Sequence, residues 1–491
     1  MPAEFELLLR ARYPLIWLDT PEEQRAIDIA CGVARSTGDP ITAWSQTFGV
    51  HDVPAVPRPG AHTDPLAVLD FIRKQEKKSI WLLKDIGALL HANPPLQRAL
   101  RDTARLARER GIVLVCLGHK IAVPDTIASD AAVHRLALPD AADHDRQLRS
   151  VAKQLALPVT DAAARTLSNA CLGLSLEQAE NIWARVRARG GRFTAEDVEQ
   201  VVQEKARIVR GTGYLEFIQP GRMTDVGGLE GLKRWVHARE RGFSPEARRL
   251  GLPFPRGMLL VGVQGCGKSL VAKCVAGQWG QPLLRMDVGA LMEGYVGASE
   301  RNLRSALDLA ERIAPCVLWV DEIEKAFSGL ESGTDGGTIL RMFGTMLTWM
   351  QEKTSPVFLL ATANEITGLP PEFMRKGRFD EIFFVDLPDA HQRRDIFRLH
   401  VATRASAAHD PDMLDRIDFD ALSALSEGYS GAEIAAAVVE GAFSALATSM
   451  PLSGAEIAQA LSASPPLSRT RAEPINKLRE WARDRTRPAN A

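Results

Sequence analysis

The sequence predicts an α/β protein in which a parallel sheet flanked by helices is followed by a small helical domain and preceded by a second α/β region with helices of its own. Three observations carry that expectation. In the second half, short apolar runs alternate with stretches of helical periodicity, the rhythm of strand–helix–strand units. A glycine-rich loop joins one such run directly to one such helix, and the strand signals stop after Leu387–Pro388. Length and composition agree. At 491 residues the chain exceeds one ordinary core and points to two or three domains. With 45% apolar and 25% charged residues it has the balance of a folded globular protein.

In chain order, the first half carries apolar runs at Leu15–Leu18, Ser79–Leu83 and Ile112–Leu117, separated by helical stretches. From about Asp140 to Arg210 its pattern is helical only. This is a fainter copy of the plan of the second half. Gly211–Gly228, broken by Gly and Pro and without sustained periodicity, reads as a linker, with the boundary near Gly213. Beyond it the strand-like runs are Met258–Val263, Pro282–Met286, Val317–Val320 and Val357–Ala361. After them come helical segments at Gln392–Thr403, Asp418–Leu425, Gly431–Ser449 and Glu473–Asp484.

Charge narrows the function classes. Lys and Arg number 60 against 61 Asp and Glu, so no global field draws the chain to nucleic acid or an anionic membrane. The Arg-rich stretches Arg185–Arg192 and Arg234–Arg249 follow helical spacing and read as solvated faces. Six cysteines, at 31, 116, 171, 266, 274 and 316, form no C-x-x-C pair and read as reduced packing residues. No apolar run approaches the length of a membrane span, and the amino-terminal stretch lacks a cleavage signal. The expected location is cytoplasmic.

The chemistry sits in the second half. Gly262-Val-Gln-Gly265-Cys266-Gly267-Lys268-Ser269 fits G-x-x-x-x-G-K-[ST], between the strand Met258–Val261 and the helix Leu270–Gly277. Glycines let backbone N–H groups wrap an anion, and the helix directs its positive end at the same point. Lys268 is expected to hold the β- and γ-phosphates of ATP, and Ser269 its Mg²⁺. The apolar run Val317–Val320 ends in Asp321-Glu322, and such a strand delivers its carboxylates to the edge of the sheet beside the phosphate loop. Asp321 is expected to reach Mg²⁺ through water, and Glu322 to orient and polarise the attacking water. Asn364 ends the neighbouring run, within reach of the γ-phosphate or its water.

Together with Asp225-Val-Gly227-Gly, Arg375-Lys-Gly-Arg378-Phe-Asp and Gly428-Tyr-Ser-Gly-Ala-Glu433, these motifs resemble, in order and spacing, the AAA ATPases that unfold or remodel proteins. The resemblance covers about residues 215–450 and is nearest to plastid- and cyanobacterium-type members, through FSPEARRLGLP, LTWMQEKTSPVFLLATAN and RKGRFDEIFFVDLP. It implies an AAA ATPase large domain over 213–388 and a helical lid domain with a tail over 389–491. It also implies a homo-oligomeric ring, usually of six subunits, with ATP or ADP at each subunit boundary and a protein substrate or regulatory partner. Arg375 and Arg378 match arginine fingers, which reach the γ-phosphate bound by the next subunit. Asp225 and Gly227 match the stretch beside adenine, Gly431 and Ala432 the lid residues next to it, and Leu270 follows the phosphate loop on its helix. Tyr295 and Val296, in Glu293-Gly-Tyr-Val-Gly297, match a pore loop that grips extended polypeptide; the other reading of Tyr295 is a packing aromatic. Ala298 departs from the pattern, standing where many relatives carry Glu.

The first half departs further. Ser79–Asp85 resembles the catalytic strand and Gly111–Lys120 the strand after it. Yet the run at Leu15–Thr20 leads into Pro21-Glu-Glu, with no glycines and no Gly-Lys-Ser/Thr. Residues 1–139 are therefore expected to form a degenerate AAA-like α/β domain lacking a phosphate loop, and 140–212 a helical lid-like region. Two functions fit these expectations: a ring ATPase that threads or remodels a protein, and a nucleotide-gated adaptor that recruits targets through its first domain. Nucleic acid is not expected as a partner, since the sequence carries no basic domain or recognisable binding module, and no membrane partner is expected.

Overall fold

The computed structural model describes residues 4–55, 60–91, 93–119, 121–189, 193–210, 213–292, 298–327, 336–366, 369–375 and 377–490. It divides into two compact units, Met1–Val201 and Val202–Ala491.

Each unit contains an α/β sheet. In the first the strands are β1 (Leu15–Asp19), β2 (Ile41–Ser45), β3 (Gly49–Asp52), β4 (Ile80–Lys84), β5 (Val113–Gly118) and β6 (Ala132–Arg135). They lie in the order β3-β2-β4-β5-β1-β6, parallel except for the β2–β3 hairpin. The second unit contains β7 (Leu215–Ile218), β8 (Gly257–Gly262), β9 (Leu283–Met286), β10 (Cys316–Val320), β11 (Val357–Ala363), β12 (Glu381–Val385) and β13 (Arg487–Pro488). Their order is β13-β12-β8-β11-β10-β9-β7, with only β7 antiparallel.

Without β3 in the first sheet, and β7 and β13 in the second, the remaining strands of each run 5-1-4-3-2 in chain order. The first half thus repeats the architecture of the second. The repeat is visible in sequence too: Leu138-Pro-Asp-Ala141 and Leu387-Pro-Asp-Ala390 each follow the last strand of this set. Each places an Asp at the N-cap of a helix, Ala141–Gln154 or Ala390–Ala408, with the third helical residue bonding back to the cap.

The central strands β8, β10 and β11 are buried at every residue. That explains their continuous apolar sequences, because a parallel sheet covered by helices on both faces has no solvated side. Successive residues feed opposite cores: Leu259 and Val261 pack on one face, Met258 and Leu260 on the other. A separate core built on Phe397, Val401, Ile434, Val438 and Ile457 holds the lid helices together.

The structure corrects three expectations. The stretch read as a linker contains β7, which pairs with β9 through Leu215–Ile218; four residues on a sheet edge are too few to show periodicity. Strand structure also returns after Leu387–Pro388, where β13 pairs with β12 at Phe383 and Phe384. Two residues, one of them proline, carry no strand signal and are confined to an edge. The helix after the phosphate loop begins at Lys268 rather than Leu270, and β2, β3 and β6 were not among the apolar runs. The six cysteines are free, and all but Cys266 are buried. No helix among the described residues is long and apolar enough to cross a membrane.

Candidate functional site

A cavity of about 380 Å³ opens at the carboxyl ends of β8, β10 and β11 and is covered by the lid helices. This is where a doubly wound sheet leaves a crevice. Its floor is the loop Gly262–Gly267 between β8 and the helix Lys268–Gln278. At Gly262 a Cβ would stand 2.0 Å from the Val385 carbonyl oxygen, so β12 can lie against the loop only if that residue is glycine. Gly265 has φ +77°, and a Cβ there would crowd the Ser430 hydroxyl at 3.0 Å.

Lys268 is 6% exposed, and its Nζ donates to the carbonyl oxygens of Gly262 and Val263, both at 2.8 Å. Burial pulls its ammonium down to about 8, against the opposing pull of the neighbouring acidic groups. A desolvated cation is thus stored against the loop, where an incoming anion would restore its charge balance. Cys266, also on the loop, is pushed up to about 12 by burial and remains a thiol.

Opposite stand the carboxylates. Ser269 Oγ donates to Asp321 Oδ1 at 3.1 Å. Thr362 Oγ1, on β11 and 1% exposed, donates to the same Asp321 Oδ1 at 2.5 Å and accepts the Glu322 N–H at 2.9 Å. Glu322 has φ +48°, an uncommon conformation for a residue with a side chain. The Thr362 bond holds it there, aiming its carboxylate into the crevice. Asn364 Nδ2 donates to Glu322 Oε1 at 2.9 Å, and the Asn364 N–H donates to Glu324 Oε1 at 3.0 Å. Burial pushes the Glu324 carboxyl up. Lys325 pairs with Glu322 from the exposed side.

The lid closes the other wall. Ser430 and Glu433 cap the helix Gly431–Ala447 reciprocally, and the Ala432 N–H donates to the Gly265 carbonyl at 2.9 Å. Glu433 Oε1 also accepts the Leu467 N–H at 2.9 Å, which fixes the lid helix to the carboxyl-terminal segment.

The cavity therefore gathers Asp225, Gly227, Gly265, Cys266, Gly267, Lys268, Ser269, Leu270, Asp321, Glu322, Asn364, Gly431 and Ala432, with Gly262 just behind it. Arg375 is exposed and Arg378 half-buried, and neither lines the cavity of its own chain. Tyr295 and Val296 lie outside the described residues, as does Lys376. Sequence reasoning missed Thr362, whose signal was a hydroxyl on β11 two residues before Asn364, which stands just past the end of that strand. It also missed Gln392, Ile396 and His400, which line the side near Gly227. Their spacing of four residues puts them on one helix face.

The donors suit a magnesium–triphosphate group. Hard oxygens from Ser269 and Asp321 converge, a buried ammonium lies beside a positive-φ glycine loop, and a helix N-terminus faces the same space.

Comparison with known proteins agrees with this geometry. Residues 258–387 match the family described as "ATPase family associated with various cellular activities (AAA)". Residues 1–136 and 142–212 match the N-terminal and second domains of SpoVK-like AAA ATPases. The AAA domain-containing protein ycf46 of Pyropia yezoensis is 36% identical over 485 residues, covering 98% of this chain and 97% of its own. The ycf46 protein of Guillardia theta is 37% identical over 483 residues, with 98% and 94% covered. The proteasome-activating nucleotidase of Aeropyrum pernix is 34% identical over 233 residues, 45% of this chain and 54% of that one.

Proposed function

The chain belongs to the AAA family of ATPases, with ycf46 proteins among its full-length relatives, and from that membership we propose that it assembles into a ring of six subunits and uses ATP hydrolysis to remodel or thread a protein. The observation that carries the hydrolytic part is the convergence of Lys268, the Ser269–Asp321 pair and the Asn364–Glu322 pair on one glycine-lined crevice. When bound, Mg-ATP supplies the phosphoanhydride to be cleaved and a cation that neutralises its charge. Lys268 would leave its carbonyl partners for the β- and γ-phosphates. Ser269 and Asp321 would hold the magnesium, and Glu322, steadied by Asn364, would orient the water. Asp225, Gly227, Gly431 and Ala432 would border the base.

Protein as the material handled is supported by relatives of the catalytic half. These are named as a proteasome-activating nucleotidase and, in Acidothermus cellulolyticus, an ATP-dependent zinc metalloprotease FtsH, 36% identical over 235 residues. Tyr295 and Val296 would grip that partner. The position of Arg375 and Arg378 away from their own cavity supports a finger that serves the next subunit, which ties hydrolysis to assembly.

A mixing experiment tests both ideas. Arg375→Ala and Lys268→Ala should each be inactive alone, whereas mixed rings should recover a measurable fraction of parental phosphate release, since each supplies what the other lacks. Absence of recovery at every ratio would remove the shared site from the proposal.

Thr362 is a positioning residue for this reaction, since it ties Asp321 to the Glu322 backbone. A hydrogen bond to a charged group contributes about 1.5–3 kcal/mol. Thr362→Val should accordingly lower kcat roughly 10- to 100-fold and raise the magnesium concentration needed for half-maximal nucleotide binding, while Thr362→Ser restores both. Equal kinetics in Thr362→Val and parent would assign the hydroxyl to packing alone.

A further inference from the structure

The first half contains the same junction as the nucleotide crevice, built from different residues. There β1 leads into the helix Glu23–Thr37 through Thr20-Pro21-Glu22, where the second half has its glycine loop. Glu22 is 5% exposed, and its backbone N–H donates to Thr20 Oγ1 at 2.9 Å. Its side chain does not cap its own helix. Instead Oε1 accepts the N–H of Leu176 at 2.8 Å, 154 residues farther along. Leu176 begins the helix Leu176–Ala188, capped reciprocally by Ser175 and Gln178. In the second half Ser430 and Glu433 cap the helix Gly431–Ala447 in the same way, and there the contact with the loop is the bond from Ala432 to Gly265.

A second tie sits one turn on. Arg25 pairs with Asp143 at 3.0 Å and donates to the Ala137 carbonyl at 2.6 Å, while Gln147 Nε2 donates to the Leu176 carbonyl at 2.7 Å. The starts of both lid-like helices, Ala141–Gln154 and Leu176–Ala188, are thus bound to the β1 turn or to each other by the chain's own groups.

We infer that the first half is closed from within: the Glu22 carboxylate stands as an internal anion in the crevice where the second half would take a phosphate, and it keeps the lid-like helices docked whatever nucleotide is present. The contrast with the second half rests on the proposed ATP site; the Glu22 bond does not. Two physical effects favour it. A helix N-terminus stabilises an anion, so Glu22 meets at Leu176 the kind of field a phosphate would meet. A buried carboxylate in turn costs least where an N–H and a nearby guanidinium satisfy it. Burial raises the Glu22 carboxyl, and the Leu176 N–H and Arg25 oppose that rise. The consequence is a rigid domain that does not follow the ATP cycle.

Hydrogen–deuterium exchange on the full chain, with and without Mg-ADP, tests this. In the parent, Mg-ADP should protect 268–278 and 431–447 and leave 176–188 unchanged within about twofold. Glu22→Ala should accelerate exchange at the start of 176–188 by at least about tenfold, and Glu22→Gln, which retains an oxygen acceptor, should stay within about threefold of the parent. Unchanged exchange in Glu22→Ala, or nucleotide-dependent protection of 176–188 in the parent, would overturn the inference. If Glu22→Ala does not fold, the parent measurement decides by itself. If Mg-ADP protects neither half, the proposed ATP site fails while the Glu22 arm still reads the latch.

Discussion

Glu322→Gln is expected to bind Mg-ATP with near-parental affinity and to release phosphate about 10²- to 10⁴-fold more slowly, the usual loss when a positioned base is removed. Binding survives because the phosphate contacts come from the loop and Lys268, across the crevice from the Glu322 side chain. Shape survives because the amide retains an oxygen for Asn364 Nδ2, and because the positive φ at Glu322 is held through its backbone N–H to Thr362 rather than by its charge. What disappears is the capacity to polarise water. Calorimetry and single-turnover phosphate release would measure the two parts separately. A parental turnover rate would transfer the water-positioning role to another group, such as Glu324, which accepts the Asn364 N–H. A slow, nucleotide-loaded form would also be the means of isolating the protein partner.

Lys268→Ala is expected to lose the other half of the function. Two charge-assisted contacts to phosphate are together worth roughly 3–6 kcal/mol, so affinity for Mg-ADP and Mg-ATP should fall at least about 100-fold. The fold should hold, because the Gly262 and Val263 carbonyls that lose their partner lie beside an open cavity where water can replace it. Titration followed by calorimetry, with circular dichroism as the control for folding, would measure this. Parental affinity in a folded Lys268→Ala protein would mean that the glycine loop binds no triphosphate.

The two substitutions separate binding from chemistry, and that separation follows from the architecture. Lys268 arrives on the helix after β8, and Glu322 at the end of β10, with β11 between those strands. Thr362 lies on that intervening strand and Asn364 just past its end. These two polar side chains are therefore the natural bridge between the phosphate loop and the carboxylates.

Much of this was legible in the chain. The glycine loop, Lys268 and Ser269 form one local strand–loop–helix unit, and their chemistry depends on residues within one turn of each other. The continuous apolar runs of β8, β10 and β11 announced a sheet covered on both faces. The edges were less legible: β7 and β13 exist because a neighbouring strand offers unpaired N–H and C=O groups, and their own residues contain little of that information. The sheet of the first half was visible at β1, β4 and β5, but β2, β3 and β6 lie toward its margins, where alternation is short and partly polar.

Alone, the sequence determined that one half of the chain has a glycine loop ending in Gly267-Lys268-Ser269 and the other has none, because that distinction is a matter of residue type at consecutive positions, with glycine where the backbone is left-handed or crowded. Only the tertiary structure decided what fills the second crevice and what steadies the first. The Glu22–Leu176 bond spans 154 residues and the Thr362–Asp321 bond 41. A hydrogen bond requires its partners within about 3 Å and well aligned, a condition that composition and periodicity cannot express and that the packing of sheet against helices imposes.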